Sequence, residues 1–338
     1  MSEEIGAAVS GAKRPVKLIV QIPCFNEELT LPQTVADIPR QIPGIDTIEL
    51  LIIDDGSTDR TLEVARGLGI HHIVRNHQNI GLARTFRRGL EACVAAGADV
   101  IVNTDGDNQY CGADIPALIR PILDHRAEIV IGDRQTATIA HFSPLKKLLQ
   151  RVGSHVVQGL AGINVPDTVS GFRAISRGAA QQLNIISSFS YTTEMVIQAG
   201  RRGMAVMSVP VRTNAATRES RLFRGIGQFI RRSALTMIRT YAMYKPMRVF
   251  LATGLVLTLA GLVPFVRFLN FYLRGEGDGH VQSLIFGGAL LSIGFMTFVI
   301  GLLADLMAVN RQLLERLLVR IYDLESKLDS SREREGPS

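Results

Sequence analysis

The 338-residue sequence predicts an α/β domain on a mostly parallel sheet, then an interfacial amphipathic helix and a hairpin of two transmembrane helices. Three observations carry that prediction. Short apolar runs alternate with helical patterns across residues 15–215, as a parallel sheet covered by helices on both faces requires. Val249 to Val266 and Val281 to Ala304 lack charge, and each is long enough to cross a hydrocarbon core of about 30 Å. The net charge of +6 is also localised. Residues 1–217 balance at zero (21 basic, 21 acidic), 218–248 carry eight basic and one acidic, and 249–338 carry eight and nine.

The strands come first. Apolar runs at Lys17–Pro23, Ile48–Asp54, His72–Arg75, Val100–Thr104 and Glu128–Gly132 read as strands, with helical patterns such as Leu82–Ala96 and Asp114–Asp124 between them. His71 and His72 read as strand-edge packing. Residues 1–14 form a disordered tail without the apolar core of a secretory signal, ahead of a domain at 15–217. From 218 to 247, Leu222, Ile226, Phe229, Ile230, Ser233, Met237, Ile238 and Tyr241 recur at helical spacing among arginines, which predicts a helix lying in the membrane interface.

The spans occupy about 249–270 and 281–304 within 248–304, with Phe268, Phe271 and Tyr272 as an aromatic belt. Glycines repeat every seventh residue at Gly254 and Gly261 and at Gly287, Gly294 and Gly301, a pattern that permits close helix approach. Residues 305–338 hold a C-terminal helix with Leu313, Leu317, Ile321, Leu324 and Leu328 on one stripe, and a tail. Basic flanks on the outer ends of the hairpin predict a cell-membrane protein with its large domain and C-terminus in the cytoplasm.

Composition narrows the function classes. With 46% hydrophobic and 20% charged residues, the chain is globular. Cys24, Cys93 and Cys111 are too few for a disulfide framework and lack zinc-ligand spacing. The basic excess abuts a span while the large domain is neutral, which argues against nucleic acid as a partner. No G-x-x-x-x-G-K-[ST], no G-x-G-x-x-G after the first strand and no H-E-x-x-H is present.

Ligands of such sheets bind beyond the strands' carboxyl ends, and three of those ends are acidic. They read Pro23-Cys24-Phe25-Asn26-Glu27-Glu28, Asp54-Asp55-Gly56-Ser57-Thr58-Asp59 and Thr104-Asp105-Gly106-Asp107-Asn108-Gln109. Converging carboxylates repel unless a cation or a donor-rich ligand sits among them. Asp105 and Asp107 point to one side of an extended segment, and Gly106 between them admits a ligand to the backbone. With the Gln109 amide oxygen they suit Mg²⁺ or Mn²⁺ bridging a diphosphate.

At these residues the chain resembles the family 2 glycosyltransferases of the GT-A fold, especially the polyprenyl-phosphate group that includes dolichyl-phosphate mannose and glucose synthases. Pro23-Cys24-Phe25-Asn26-Glu27 resembles P-x-[YF]-N-E, and Asp54-Asp55-Gly56-Ser57-Thr58-Asp59 resembles D-D-G-S-x-D. Asp105-Gly106-Asp107-Asn108-Gln109 resembles D-A-D-x-Q with Gly for Ala, and Gly132-Asp133-Arg134 resembles G-S-R with Asp for Ser. Asp167-Thr168-Val169-Ser170-Gly171-Phe172-Arg173 resembles D-x-x-S-G-[FY]-R.

The resemblance implies that Pro23, Phe25, Glu27, Ile53 and Asp55 hold the nucleoside, together with Asp105, Gly106 and Asp107 of the next loop. It implies that Asp105, Asp107 and Gln109 hold metal and diphosphate, and that Arg134, Arg151 and Ser154 face an acceptor phosphate. Asp105, Asp107 and Arg134 would be the catalytic set. The family's late R-x-x-G-x-S-K is altered, with Ala215 where an arginine would stand, which leaves Arg218 and Arg221 as alternative phosphate ligands. Members with a membrane hairpin are often tetrameric.

The expected chemistry is inverting transfer of a hexose from a nucleotide sugar (UDP-glucose or GDP-mannose type) to undecaprenyl or dolichyl phosphate. An acceptor hydroxyl would instead need a carboxylate base, for which Glu194 at the start of a helix over Thr192–Ala199 is the candidate. A non-catalytic nucleotide-sugar-binding scaffold is the alternative of another class.

Overall fold

The computed structural model describes residues 14–135, 153–155, 157–159, 161–185, 191–214, 246–275 and 277–334. Arg151, Arg218, Arg221 and the amphipathic stretch over 218–245 lie outside the described residues, as does most of the N-terminal tail. The chain divides into two compact units, Met1–Ile230 and Arg231–Ser338.

The first unit is built on a seven-stranded sheet. In chain order its elements are β1 (Lys17–Cys24), α1 (Leu31–Asp37), β2 (Thr47–Asp54), α2 (Thr61–Gly67), β3 (His72–Arg75), α3 (Leu82–Ala95) and β4 (Val100–Asn103). They are followed by α4 (Ile115–Leu123), β5 (Ile129–Asp133), β6 (Arg173–Ser176), α5 (Arg177–Gln182), α6 (Tyr191–Arg201) and β7 (Val206–Pro210). The spatial order is β3-β2-β1-β4-β6-β5-β7, parallel except for β6, which runs antiparallel between β4 and β5. β1 is buried along nearly its whole length, because helices cover both faces of a central parallel strand and its sequence reads as one apolar run. The core gathers Leu18, Val20 and Ile22 of β1 with Leu50 and Ile52 of β2, Val100 and Val102 of β4, and Ile115, Leu118 and Ile119 of α4.

Strands β6 and β7 are additions to the sequence reading. β6 begins on Arg173, a fully buried cation whose guanidinium donates to the carbonyls of Ser170, Thr192 and Thr168. A charged first residue and a length of four hide the strand from a hydrophobicity pattern. β7 is a half-buried edge strand. At the opposite edge, His71 Nδ1 accepts the Leu50 N–H, and His72 Nε2 lies 2.7 Å from Glu49.

The second unit is a helical hairpin, α7 (Pro246–Leu273) and α8 (Val281–Arg334), joined by a 3₁₀ turn at Gly277–His280. Both helices are long and apolar enough to cross a membrane, over Pro246–Leu273 and Val281–Asn310. Their apolar side chains face outward: Leu255, Val263, Ile285 and Phe295 are all more than half exposed, as lipid-facing positions require. Glycines form the seam. A Cβ on Gly254 would lie 3.1 Å from Gly294 O, one on Gly261 2.9 Å from Leu291 N, and one on Gly301 2.5 Å from the Phe250 Cβ. One departure from expectation is plain: residues 305–334, read as a separate C-terminal helix, continue α8 without a break.

Candidate active site

Strand β4 delivers the central loop. After Asn103 the chain turns at Gly106–Asp107 and bends at Asn108, whose φ is 56°, so the extended segment expected from the sequence is not formed; exposure nevertheless alternates. Asp105, Asp107 and Gln109 are part-exposed while Gly106, Asn108 and Tyr110 are buried. The turn, not strand alternation, leaves the two carboxylates and the amide residue part-exposed. The loop is pinned through Gly106, whose carbonyl lies 2.8 Å from the Thr30 hydroxyl and 3.2 Å from that of Thr34. The Thr30 hydroxyl is also 2.8 Å from Glu27 Oε2, so the turn after β1 and the β4 loop share one hinge point. A Cβ at Gly106 would sit 3.0 Å from Cys24 Sγ and 3.3 Å from Glu27 Cγ. A Cβ at Gly171 would sit 3.1 Å from Asp105 Oδ2. Three motifs far apart in sequence thus close on one another through two glycines.

The acidic strand ends do converge. The Cys24 thiol at their centre has its pKa pushed well above the ordinary value, by burial first and then by the negative charges of Glu27, Asp54, Asp105 and Asp59. Asp55 is buried and clasps a loop: Oδ1 accepts from Asn76 Nδ2 (2.8 Å) and Ile80 N–H (2.9 Å), and Oδ2 accepts from Gly81 N–H (3.1 Å). Phe25 is 36% exposed, an aromatic face at the strand end, whereas Pro23 and Glu27 are buried. Ile53 is fully buried, and its side chain packs against Gly89 of α3, so that side chain can support a nucleoside site only from beneath.

Arg134 follows β5 and is held by Asp167, with Nε donating to Oδ2 at 2.7 Å and Nη2 to Oδ1 at 3.0 Å. Only 12% of its side chain is exposed. Burial works against its charge, but Tyr110, Asp167 and Asp105 more than offset that, and its pKa stands above the usual arginine value. The ion pair commits one edge of the guanidinium and leaves Nη1 without a hydrogen bond among the described residues. Ser154 is buried, and its hydroxyl accepts from Thr168 Oγ1 at 3.3 Å. Gln109 uses its backbone: its N–H donates to Asp107 Oδ1 and its carbonyl accepts from Asn214 N–H.

Sequence reasoning missed the shell behind Asp105. Asn103 Nδ2 donates to Gly171 O (2.9 Å) and to the Tyr191 hydroxyl (3.1 Å), while Gln21 Nε2 donates to Asn103 Oδ1 (3.0 Å). The Tyr110 hydroxyl accepts the Gly171 N–H at 2.9 Å. Burial, and then Asp105, raise the Tyr191 pKa well above normal, so the phenol stays a neutral donor. A signal existed: Gln21 and Asn103 are lone amides in otherwise apolar strands, and buried amides demand partners. Beyond β7, Thr213 bridges Tyr110 and Asn214 Nδ2 donates to Asn108 O, so the chain leaves the described residues beside the Asp107 loop. Arg218 and Arg221 follow Asn214 by four and seven residues, a reach of at most about 14 and 25 Å.

The donor set fits a cation shared with a ligand. Among the described residues no three His, Cys, Asp or Glu side chains form a metal-binding group, so protein ligands alone give an incomplete shell. Mg²⁺ is commonly bound by one or two carboxylates plus substrate phosphates, which is what Asp105 and Asp107 offer.

Comparison with known proteins places this arrangement. The model of the glycosyl transferase family 2 matches residues 19–183. The dolichyl-phosphate hexose transferase of Haloferax volcanii is 29% identical over 206 residues, covering 61% of this chain and 86% of that protein. The UDP-N-acetylglucosamine–dolichyl-phosphate N-acetylglucosaminyltransferase of Methanococcus voltae is 28% identical over 213 residues, covering 57% and 83%. Among solved structures, glucosyl-3-phosphoglycerate synthase from Mycobacterium tuberculosis, in complex with Mn²⁺, UDP and phosphoglyceric acid, superposes with a TM-score of 0.52 at 21% identity, covering 67% and 78%. The fold is of the GT-A type, and residues 19–183 are similar to the family 2 glycosyltransferases.

Proposed function

We propose that this protein transfers a hexose from a nucleotide sugar to polyprenyl phosphate at the cytoplasmic face of a membrane, with inversion at the anomeric carbon. The observation that carries the reading is the placement of Asp105 within electrostatic reach of a buried, clamped Arg134, on a chain that also holds two apolar membrane-length helices. Relatives named for dolichyl-phosphate acceptors support it.

In this reading Phe25 stacks on the nucleoside base, with Pro23, Glu27 and Asp55 forming the wall and Ile53 its floor. Asp105, Asp107 and Gln109 would hold Mg²⁺ or Mn²⁺ on the diphosphate side of the site. What a divalent cation supplies when bound there is neutralisation of the charge that develops on the departing diphosphate. Arg134 offers Nη1 to an anionic oxygen, while Asp167 prevents the guanidinium from rotating. Ser154, Arg151 and either Arg218 or Arg221 complete the acceptor-phosphate set. A phosphomonoester has its second pKa near ~6 and arrives ionised, so its positioning matters more than a base. Glu194 fits that chemistry: it is buried in α6 and accepts from Gln198 Nε2 at 3.3 Å, within its own helix.

The test uses the full chain in lipid vesicles, with a panel of nucleotide sugars and both undecaprenyl and dolichyl phosphate. Mass spectrometry should find an acid-labile glycosyl phospholipid that forms only with a divalent cation and is lost with EDTA. An alkali-stable glycolipid without phosphate would replace this reading with a hydroxyl acceptor. No turnover of any donor with Mn²⁺ would leave a binding scaffold. Asp107→Ala should lower turnover by about 10²–10³-fold, as loss of a charge-stabilising group does, while the protein still sediments with membranes.

A further inference from the structure

Helix α8 outruns its partner. It has 54 residues against 28 in α7. Phe250 lies against Gly301, so in an antiparallel hairpin the first residue of α7, Pro246, comes opposite about residue 305. The apolar span of α8 ends at Asn310. Arg311–Arg334 therefore continues for about 36 Å, at 1.5 Å per residue, past the end of the helix it packs on. Just beyond the span Leu313, Leu314 and Leu317 are 51%, 61% and 55% exposed. A lone helix with a leucine face in water is marginal, because most helical stability comes from covering that face.

The sequence register identifies the cover. Met307, Leu314, Ile321 and Leu328 are spaced by seven, and so are Asn310, Leu317, Leu324 and Ser331, three residues later. These are the a and d positions of a coiled coil, six of the eight apolar. No Pro or Gly occurs from Leu302 to Arg334, so nothing bends the helix back onto a bilayer surface. Residues 311–334 carry six basic and five acidic side chains, a mixture unlike the one-signed face of an interfacial helix. Copies inserted in one orientation meet in parallel, and that register sets Arg320 at g of one copy opposite Glu325 at e of the other.

We propose that Met307–Ser331 forms a parallel coiled coil with the same segment of a second copy of this chain. The inference stands apart from the catalytic reading and is tested without an activity assay. In membranes holding the full chain, Leu324→Cys (position d) should oxidise to a disulfide-linked species of twice the 36.9 kDa chain mass. Ser326→Cys (position f) should stay at the background set by the parent chain. Adding Leu317→Glu to Leu328→Cys should cut cross-linking at least tenfold while the hairpin remains membrane-integrated. Equal cross-linking at Leu324→Cys and Ser326→Cys, or none at Leu324→Cys, overturns the proposal. So does quenching of a fluorophore at Leu324→Cys by nitroxide lipids, which would make the bilayer the occupant, or a cross-linked product containing a different protein.

Discussion

Asp167 gives both carboxylate oxygens to Arg134, and that pair is nearly dry. Asp167→Asn keeps the shape but strands a buried guanidinium, and breaking a buried pair costs about 3 kcal/mol. The unfolding midpoint should fall accordingly in denaturant titration. The KM for acceptor should rise more than the KM for donor, since the loosened group is the one aimed at acceptor phosphate. A second residue-scale prediction concerns Gly106, where the usual family residue is Ala. A methyl group there would press on Cys24 Sγ at 3.0 Å and on Glu27 Cγ at 3.3 Å. Gly106→Ala should cost about 1–2 kcal/mol as local overpacking and lower turnover by shifting the Asp105–Asp107 loop. Cys24→Ala in the same chain removes the sulfur and should return most of both losses. A double-mutant cycle without coupling would show that the two positions do not share this space.

At the scale of elements, the hairpin depends on backbone contact between its helices. Gly261 sits in close backbone contact within the seam, where a Cβ would meet Leu291 N at 2.9 Å and Leu290 Cβ at 3.0 Å. Gly261→Leu should pry α7 from α8 and lower the thermal midpoint of the detergent-solubilised chain. Leu259→Ala, on the exposed side, should leave it nearly unchanged. Seven-residue glycine spacing made this seam legible before any coordinates, because only close approach rewards it. Strands β1, β2, β4 and β5 were legible for a related reason: burial writes a nearly uninterrupted apolar run, whereas β3, an edge strand without a buried residue, showed only its Ile73-Val74 pair. β6 and β7 were not, since one starts on a buried arginine satisfied by three carbonyls and the other is an edge with little core to show. The site divides the same way. Asp105, Asp107 and Arg134 stand in local motifs that a reader of sequence can find. The Asp167 clamp, the Gly171 contact and the Gln21–Asn103–Tyr191 chain join positions more than 30 residues apart, and only the sheet order brings them together.

The whole molecule separates its two tasks by composition. The first unit closes a core of its own, and residues 1–217 balance to zero charge, so that part of the chain has no net charge to draw it to anionic surfaces. The two membrane-length helices of the second unit are apolar and outward-facing, and the basic excess lies in the sequence at 218–248, across the boundary between the units. Deleting residues 246–338 should therefore leave a chain that folds and still binds a nucleotide sugar, because every donor-side residue belongs to the first unit. What remains at 218–245 carries seven of the eight basic residues of 218–248, each worth about 1 kcal/mol near an anionic surface. Binding of the truncated chain to vesicles containing anionic lipid should be measurable at low salt and abolished at high salt, since exposed charges are screened. The full chain should stay membrane-bound under both conditions, held by buried apolar area that salt does not weaken. Salt-resistant binding of the truncated chain would move the anchor out of the hairpin and into residues 218–245. Sedimentation at two ionic strengths distinguishes these outcomes, and donor binding by calorimetry on the same sample checks that the first unit is intact.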